Sequence, residues 1–302
     1  MLYSISPHPT FGHFLNIFGH RGLKKKIQRH VLLKNVSTHR TVSASSSTSS
    51  ANKARGGLPR FYSEQLPASK DKIVRVEGDE SWHMTKVLRL GVTDRVELFN
   101  GWGEIVEGQI LKVDRSGVDI VAAEDPVMLT PSGPQWHVVA AFGTLKGGRA
   151  DWLVEKSTEL GASSITPLLT ERSTSISENR VDRWQRVMLA ALKQCQRLHQ
   201  MVVKPPVGID CILPQITASS LSFLAMAEAT PLVDALSVVD KNAGGLLLVG
   251  PEGDFTDKEV KALTKAGAIP VGLGPCRLRV ETATITLLAA AMLWTDVHHV
   301  ES

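Results

Sequence analysis

Two short segments near the C-terminus combine glycine and proline in the way that ligand-binding loops do. In Leu246–Phe255 and in Gly272–Thr282, a tight loop lies between a buried-looking strand and a helical pattern. Glycine lets the backbone approach a ligand closely, and proline fixes part of a loop in one conformation. Because open α/β sheets bind ligands where their strands end, we expect both loops to line one small-molecule site.

Neither loop carries a common nucleotide signature. The segments lack the Gly-Lys-Ser/Thr ending of a phosphate-binding P-loop, and they lack the G-x-G-x-x-G spacing of a dinucleotide site. A turn whose glycines only relieve strain is the alternative interpretation of either loop alone. Two such turns at neighbouring strand ends favour a binding role.

Basic residues follow the first, second and last strands of the same predicted sheet. They are Lys146, Arg149, Arg172, Arg277 and Arg279. Each alone has the simpler interpretation of a solvated surface charge. Cations that converge from neighbouring strand ends, however, form a rim suited to phosphate groups. The sequence therefore predicts a polyanion close to the small-molecule site.

The first 54 residues have the composition of a targeting segment rather than of a folded domain. No acidic residue precedes Glu64, basic residues are scattered throughout, and the serine-rich tract Ser43–Ser50 follows them. This composition is typical of an organellar transit peptide, which we expect to be disordered. Serine content favours a chloroplast and the basic stretch 19–40 favours a mitochondrion; we expect a chloroplast. A disordered tail without an address is the alternative.

The net charge of the chain depends on this segment. It holds eight of the 34 basic residues, which leaves 26 against 30 acidic residues and a net charge of about −4 in the rest. The charge of the whole chain therefore indicates no nucleic-acid partner, and any RNA contact has to come from a local cluster of cations.

Cysteine spacing and hydropathy predict neither a metal site nor a membrane segment. Cys195, Cys211 and Cys276 are isolated and lack C-x-x-C spacing. A membrane-spanning helix needs a run of about 18 apolar residues, and none is present. We therefore expect no metal and no membrane partner.

The sequence pattern changes near residue 131, which predicts two domains after the targeting segment. Residues 55–130 contain short strands separated by glycine and asparagine, the pattern of a small antiparallel barrel with one helical turn at Ser81–Leu88. Residues 131–302 alternate strands with helices, which predicts a parallel sheet and an α/β fold. The stretch 125–134 has the composition of a linker.

The predicted strands of the barrel are 73–76, 95–99, 105–111 and 118–121. Those of the α/β domain are 136–142, 165–169, 221–226, 246–249 and 269–273. Its predicted helices are 151–160, 181–198, 256–267 and 281–294, the third of which begins with the capping-box spacing Thr256-Asp-Lys-Glu259.

Four motifs in this order resemble a known family. They are Lys146–Gly161, Pro167–Ser173, Leu248–Gly253 and Leu273–Ala283, and the segment Trp82–Leu90 adds a fifth likeness. From about Arg60 to Trp294 the chain resembles the RsmE-type 16S ribosomal RNA uridine N3-methyltransferases of the SPOUT superfamily. At two positions the sequence departs from the family pattern, since Asp254 replaces a usual glycine and Cys276 begins the arginine-rich stretch.

The resemblance implies a specific architecture. Residues 55–130 would form a PUA-like β-barrel that binds RNA. Residues 131–302 would form a SPOUT α/β trefoil-knot domain, with the chain after Leu273 passing through an earlier loop. The family uses S-adenosyl-L-methionine as its cofactor, acts on small-subunit ribosomal RNA, works as a homodimer and requires no metal.

The resemblance also implies roles for individual residues. Arg279 and Glu281 match the family's Leu-Arg-Thr-Glu-Thr run; our own hypothesis is that Arg279 favours the ionised form of the base and that Glu281 is an orienter or proton acceptor. The implied cofactor-binding residues are Gly250, Pro251, Glu252, Gly253, Gly272, Leu273, Gly274 and Leu278. The predicted RNA-binding residues are Arg60, Arg89, Lys146, Arg149, Arg172 and Arg277.

We therefore expect an enzyme that methylates N3 of a uridine in the small-subunit ribosomal RNA of an organelle. Two alternatives remain open at this point. One is a catalytically inactive RNA-binding factor of ribosome assembly with the same fold. The other is a SPOUT methyltransferase that acts on another RNA atom, such as a ribose 2′-OH or a transfer-RNA base.

Overall fold

The computed structural model describes residues 57–173, 176–240 and 242–299. The predicted targeting segment, residues 1–54, lies outside the described residues. Within the described part, no helix is long and apolar enough to cross a membrane.

The N-terminal region is built on one six-stranded sheet. Its strands are β1 (Arg60–Tyr62), β2 (Ile73–Glu77), β3 (Arg95–Phe99), β4 (Glu104–Val113), β5 (Gly117–Ala122) and β6 (Val127–Met128). They are arranged in the order β1-β3-β4-β5-β2, and β6 pairs with β4. The last strand lies inside the predicted linker, which is therefore partly structured.

All pairings in this sheet are antiparallel except one. Strand β1 runs parallel to β3, so the prediction of a purely antiparallel barrel is wrong at this edge. The strands β1 and β3 are joined through a long connection that contains β2 and a helix, and such a crossover permits parallel pairing.

A short helical segment closes the core of this sheet. It consists of helix α1 (Gly78–Trp82) and a π-helical turn at His83–Val87. The Met84 side chain is fully buried among Phe61, Leu98 and Ile110. The predicted helical turn at Ser81–Leu88 is thus present and begins three residues earlier.

The C-terminal region contains a seven-stranded sheet. Its strands are β7 (Trp136–Ala140), β8 (Ser164–Leu169), β9 (Val202–Val203), β10 (Val207–Gly208), β11 (Ser222–Ala225), β12 (Gly245–Val249) and β13 (Ile269–Val271). The order is β10-β8-β7-β12-β11-β13, with β9 also on β8, and every pairing is parallel. The predicted parallel α/β sheet is confirmed.

Helices cover both faces of this sheet. They are α2 (Arg149–Glu159), α3 (Glu178–Cys195), α4 (Ile209–Ala218), α5 (Leu232–Ser237), α6 (Asp257–Lys265) and α7 (Val280–His299). One buried cluster includes Leu153, Trp184 and Leu287, and a second includes Ile212 and Leu263. Because both faces are covered, β12 is buried along its whole length, as its continuous apolar run predicts.

Local signals fix the ends of several helices. Thr256 and Glu259 form the predicted capping box, in which the Glu259 carboxylate accepts a 2.8 Å hydrogen bond from the Thr256 backbone N–H. Helix α3 ends three residues before the predicted position, because Gln196 adopts a left-handed backbone with φ +56°. The short helices α4 and α5 were not predicted, and α4 contains Pro214, which disguises its pattern.

Candidate active site at the carboxyl edge of the parallel sheet

Several loops meet at the edge of the sheet where its parallel strands end. We call them the strand-end loops, and they are residues 141–148 after β7, 170–173 after β8, 226–231 after β11, 250–256 after β12 and 272–279 after β13. The two glycine-proline loops of the sequence analysis are the last two. Parallel pairing places them at one edge, as the prediction required.

The loop after β12 is tight because its first residue has no space for a side chain. A Cβ on Gly250 would lie 2.9 Å from the Phe255 ring. The Pro251 carbonyl accepts a 2.9 Å hydrogen bond from the Asp254 backbone N–H. Asp254 has φ +59°, a left-handed conformation that explains why glycine suits this position and why aspartate is tolerated there.

The loop after β13 contains two glycines with different environments. Gly272 forms a backbone bridge to the loop after β11, since its N–H donates to Thr230 and its carbonyl accepts from Leu232. The predicted cofactor contact of Gly272 therefore involves a backbone that already bridges two strand-end loops. Gly274 has φ +109°, and a Cβ there would meet no atom within 4 Å, so this part of the loop borders open space.

Arg149, the first residue of α2, connects the loop after β12 with the first turn of α7. Its Nη1 donates to Glu252 Oε1 at 3.1 Å and to Glu281 Oε1 at 3.3 Å. The hydrogen bond with Glu252, supplemented by that with Glu281, raises the pKa of Arg149 above its ordinary value. Arg149 was predicted to bind RNA phosphate, but its guanidinium is occupied by two carboxylates.

Glu281 is the buried carboxylate of the site. Its side chain is 10% exposed and lies in the first turn of α7, where the positive end of the helix dipole favours a negative charge. Oε1 accepts from Arg149, whereas Oε2 is buried and has no hydrogen-bond partner among the described residues. This oxygen can therefore accept a hydrogen bond from a ligand.

Arg279 lies two residues before Glu281 on the exposed end of the loop. Its backbone carbonyl accepts a 2.8 Å hydrogen bond from Ala283 and so starts the helix. Within the residues that the structure describes, the Arg279 guanidinium forms neither an ion pair nor a side-chain hydrogen bond. It is therefore an exposed cation two residues from a buried carboxylate in sequence.

The other predicted cations apart from Arg60 are exposed and differ in their hydrogen bonds. Arg172 donates to the Gly253 carbonyl, and Arg277 donates to the Glu252 carbonyl at 3.1 Å, so both brace the loop after β12. Lys146 and Arg89 are exposed.

Among the residues predicted to bind RNA, Arg60 is the buried one. It is 9% exposed, pairs with Glu97 and donates to the Gln196 carbonyl at 3.4 Å. A buried, paired arginine of this kind joins neighbouring segments, and this arrangement does not favour the predicted RNA contact.

A pocket of about 690 Å³ lies beside the loop after β7 and includes Lys146, Asp151, Arg180 and Arg183 in its lining. Arg180 donates to the Leu145 carbonyl at 3.0 Å, which holds the loop in place, and Arg183 pairs with Asp151. Sequence reasoning did not single out these two arginines. Their spacing of three residues on α3 was the available signal, since it places both on one helix face.

Histidine, cysteine and carboxylate side chains do not form a metal site in the described part of the chain. No group of three or more of them is close enough to hold an ion there.

Comparison with known families matches most of the described chain. Residues 131–292 match the model of an RNA methyltransferase domain, and residues 76–122 match that of an RNA methyltransferase PUA domain. A ribosomal RNA small subunit methyltransferase E from Mycobacterium bovis is 29% identical over 246 residues, covering 78% of this chain and 92% of that protein.

Solved structures give the same result. A probable rRNA-methyltransferase from Porphyromonas gingivalis has a TM-score of 0.68 at 25% identity, covering 80% of this chain and 100% of its own. A ribosomal RNA small subunit methyltransferase E from Neisseria gonorrhoeae, bound to S-adenosyl methionine, has a TM-score of 0.64 at 25% identity, covering 78% of this chain and 97% of its own.

The predicted combination of a PUA-like domain and an α/β methyltransferase domain is therefore confirmed. The methyltransferase match alone spans more than half of the 302 residues. The strand-end loops, with their buried carboxylate and free arginine, lie within that match. The chain belongs to the RNA methyltransferase family, with an N-terminal match to the PUA domain of such enzymes, and it is similar over most of its length to ribosomal RNA small subunit methyltransferase E proteins.

Proposed function

We propose that this protein uses S-adenosylmethionine to methylate N3 of a uridine in the small-subunit ribosomal RNA of an organelle. The proposal is based on two residues that lie two positions apart in the sequence. Glu281 has a buried Oε2 without a hydrogen-bond partner among the described residues, and the Arg279 guanidinium forms no ion pair among them. Together they offer a buried proton acceptor and an exposed cation two residues apart. The structurally similar enzyme from Neisseria gonorrhoeae binds the same cofactor.

The residues of the strand-end loops fit this cofactor. The open space at Gly274 admits a ligand against the backbone, and the half-buried Leu273 and Leu278 offer apolar surface to a flat adenine ring. Gly250–Gly253 would form the opposite wall. When bound, S-adenosylmethionine supplies an activated methyl group, to which N3 bonds as the carbon–sulfur bond breaks and its electron pair stays on sulfur.

Catalysis by the protein itself is a matter of charge and proton transfer. Uracil N3 is a poor nucleophile while it carries a proton. Arg279 stabilises the anionic form of the base, because an opposite charge nearby favours ionisation. Glu281 Oε2 accepts the N3 proton and later releases it to solvent. Fixed charges and alignment of N3 provide the rate acceleration.

The cations and the PUA-like domain provide the contacts to RNA in this proposal. Lys146 and Arg89 are exposed and available to phosphate. The salt dependence of RNA binding tests this. If each of these side chains binds one phosphate, a K146M or R89M substitution should reduce the slope of affinity against salt.

A homodimer and a knotted backbone are further parts of the proposal. Trp152 on α2 and Leu293 on α7 are 44% and 65% exposed, which is consistent with a second copy covering these helices. Light scattering of the purified protein gives the oligomeric state. The knot requires the chain after Leu273 to pass through an earlier loop.

The acid-free, serine-rich N-terminus supports an organellar address, with a chloroplast favoured. Fusion of residues 1–54 to a fluorescent protein tests this directly. Import into chloroplasts is the expected result. A diffuse signal would leave the methyltransferase reaction unaffected and would remove the organelle from the proposal.

Two experiments separate the enzyme from its alternatives. Calorimetric titration with S-adenosylmethionine should give saturable heat, whereas an inactive assembly factor without a cofactor site gives none. Small-subunit ribosomal RNA treated with enzyme and cofactor should then contain N3-methyluridine by mass spectrometry. A methyl group on a ribose 2′-OH or on transfer RNA would contradict the assignment of the target atom.

A further inference from the structure

We infer that Arg149 is a positioning residue that directs the free oxygen of Glu281 toward the imino N–H of the target base, and that Glu281 thereby selects uracil over cytosine. This inference rests on the proposed function. It replaces the predicted role of Arg149 in RNA binding with a role inside the site.

The protein contacts only one oxygen of the Glu281 carboxylate among the described residues. Arg149 Nη1 lies 3.3 Å from Oε1, and no protein group reaches Oε2 among the described residues. Arg149 is itself held, because its Nε donates to the Lys146 carbonyl at 3.2 Å and its Nη1 donates to Glu252. One oxygen is thus fixed by the protein and the other is left for a ligand.

An unpaired carboxylate oxygen in a buried position costs free energy until a donor reaches it. Uracil presents a donor at N3, since that nitrogen carries a hydrogen. Cytosine presents a lone pair at N3, which would face the Glu281 oxygen with repulsion and no hydrogen bond. A site built to accept a hydrogen bond discriminates strongly against an analogue that cannot donate one.

The test is a double-mutant cycle on kcat with R149M, E281Q and the R149M/E281Q double variant, using ribosomal RNA as substrate. We expect each single variant to reduce kcat by about 100-fold, at the lower end of proton-transfer contributions. Measured at saturating S-adenosylmethionine, the double variant should be no slower than E281Q alone, because Arg149 acts on the proton transfer through Glu281, while its bond to Glu252 concerns the cofactor loop. The KM for RNA should stay near wild type, and R149K should recover part of the rate.

A second readout concerns base selection. Wild-type enzyme should bind a short RNA with uridine at the target more tightly than the same RNA with cytidine, and E281Q should lose most of this difference, because an amide can also donate. Arg95→Met is the matched control: Arg95 forms an arginine–glutamate pair with Glu107 on the barrel, and its loss should leave kcat and the uridine–cytidine difference unchanged.

Multiplying losses in the double variant, together with a raised KM for RNA in R149M, would overturn the inference and assign Arg149 to phosphate binding. Equal affinity of wild type for uridine and cytidine RNA would also overturn it. Absence of any methylation by the wild-type enzyme is a different result, because it would refute the proposed function and the inference together. Cofactor calorimetry and thermal melting establish that each variant is folded.

Discussion

This protein contains two clusters in which one arginine contacts several carboxylates. They differ in whether every carboxylate oxygen described in the comparison has a hydrogen-bond partner. On the barrel sheet, Arg75 contacts Asp114 at 2.6 Å, Asp119 at 2.7 Å and Glu77 at 3.0 Å. At the edge of the parallel sheet, Arg149 contacts Glu252 and Glu281. Both clusters join segments that are distant in sequence.

The barrel cluster is satisfied from within the chain. Asp114 accepts hydrogen bonds from Arg75, from Ser116 and from the Gly117 backbone, and chiefly the Arg75 interaction holds the pKa of Asp114 well below its ordinary range. In the other cluster, Glu281 keeps one buried oxygen without a partner among the described residues. A completed network stabilises local structure, whereas the unsatisfied acceptor of Glu281 supports the proposal that a ligand binds there.

The largest expected effect of a substitution is at Arg279. Arg279→Ala should reduce methyl transfer by about 100- to 1000-fold, the cost of removing one preorganised charge from a reacting centre. Binding of S-adenosylmethionine should persist, because the loop backbone is unchanged. Single-turnover methylation and calorimetry measure the two quantities. Near-normal turnover in this variant would remove Arg279 from the reaction.

A smaller effect is expected at Gly274. Gly274→Ala forces an L-residue into φ +109°, at a strain of about 1–3 kcal/mol. Relief of that strain would move the loop and weaken cofactor affinity by about tenfold, which calorimetry can measure.

The control for this prediction is Gly267→Ala, since Gly267 has φ +112° and equally open surroundings but lies after α6. It should lower the Tm like Gly274→Ala and leave cofactor affinity unchanged. Loss of affinity in both variants would show that general destabilisation, rather than the loop, is responsible.

The smallest expected effect is the change in Tm when Asp114 of the barrel cluster is replaced, and this change depends on pH. Because the folded-state pKa of Asp114 is lowered, its contribution to stability is present above the unfolded-state value of about 3.9 and is lost as the pH falls toward the folded value. Asp114→Asn should therefore lower the Tm at pH 7, and the difference from wild type should shrink between about pH 5 and pH 2.

Calorimetric melts over this range test the prediction, and methylation at pH 7 should remain near wild type. A constant Tm difference at all pH values would show that the Asp114 charge is not the source of the stabilisation.

Local patterns in the sequence were sufficient for much of the fold. Apolar runs and helical periodicity predicted the parallel sheet, and the spacing of Thr256 and Glu259 predicted a capping box that is present. Glycine-proline loops after two strands predicted the edge of the sheet at which the candidate site lies. These features depend on neighbours within a few residues.

Long-range pairing could not be predicted in the same way. Arg60 reaches Glu97 across 37 residues, and Arg149 reaches Glu281 across 132, so neither a local pattern nor charge alone distinguishes a buried partner from an RNA contact. The bridge between Gly272 and Thr230 likewise depends on the pairing of β11 with β13. That Glu281 Oε2 lacks a hydrogen-bond partner could be learned only from the three-dimensional structure, because it depends on all the described residues around it.

The central claim is that this edge of the sheet methylates N3 of a ribosomal uridine. The most direct measurement is nucleoside mass spectrometry of small-subunit ribosomal RNA from cells that lack the protein and from the same cells supplied with wild-type or E281Q protein. N3-methyluridine should be absent without the protein, return with wild type and stay absent with E281Q. Unchanged N3-methyluridine in the absence of the protein, or full recovery with E281Q, would contradict the claim.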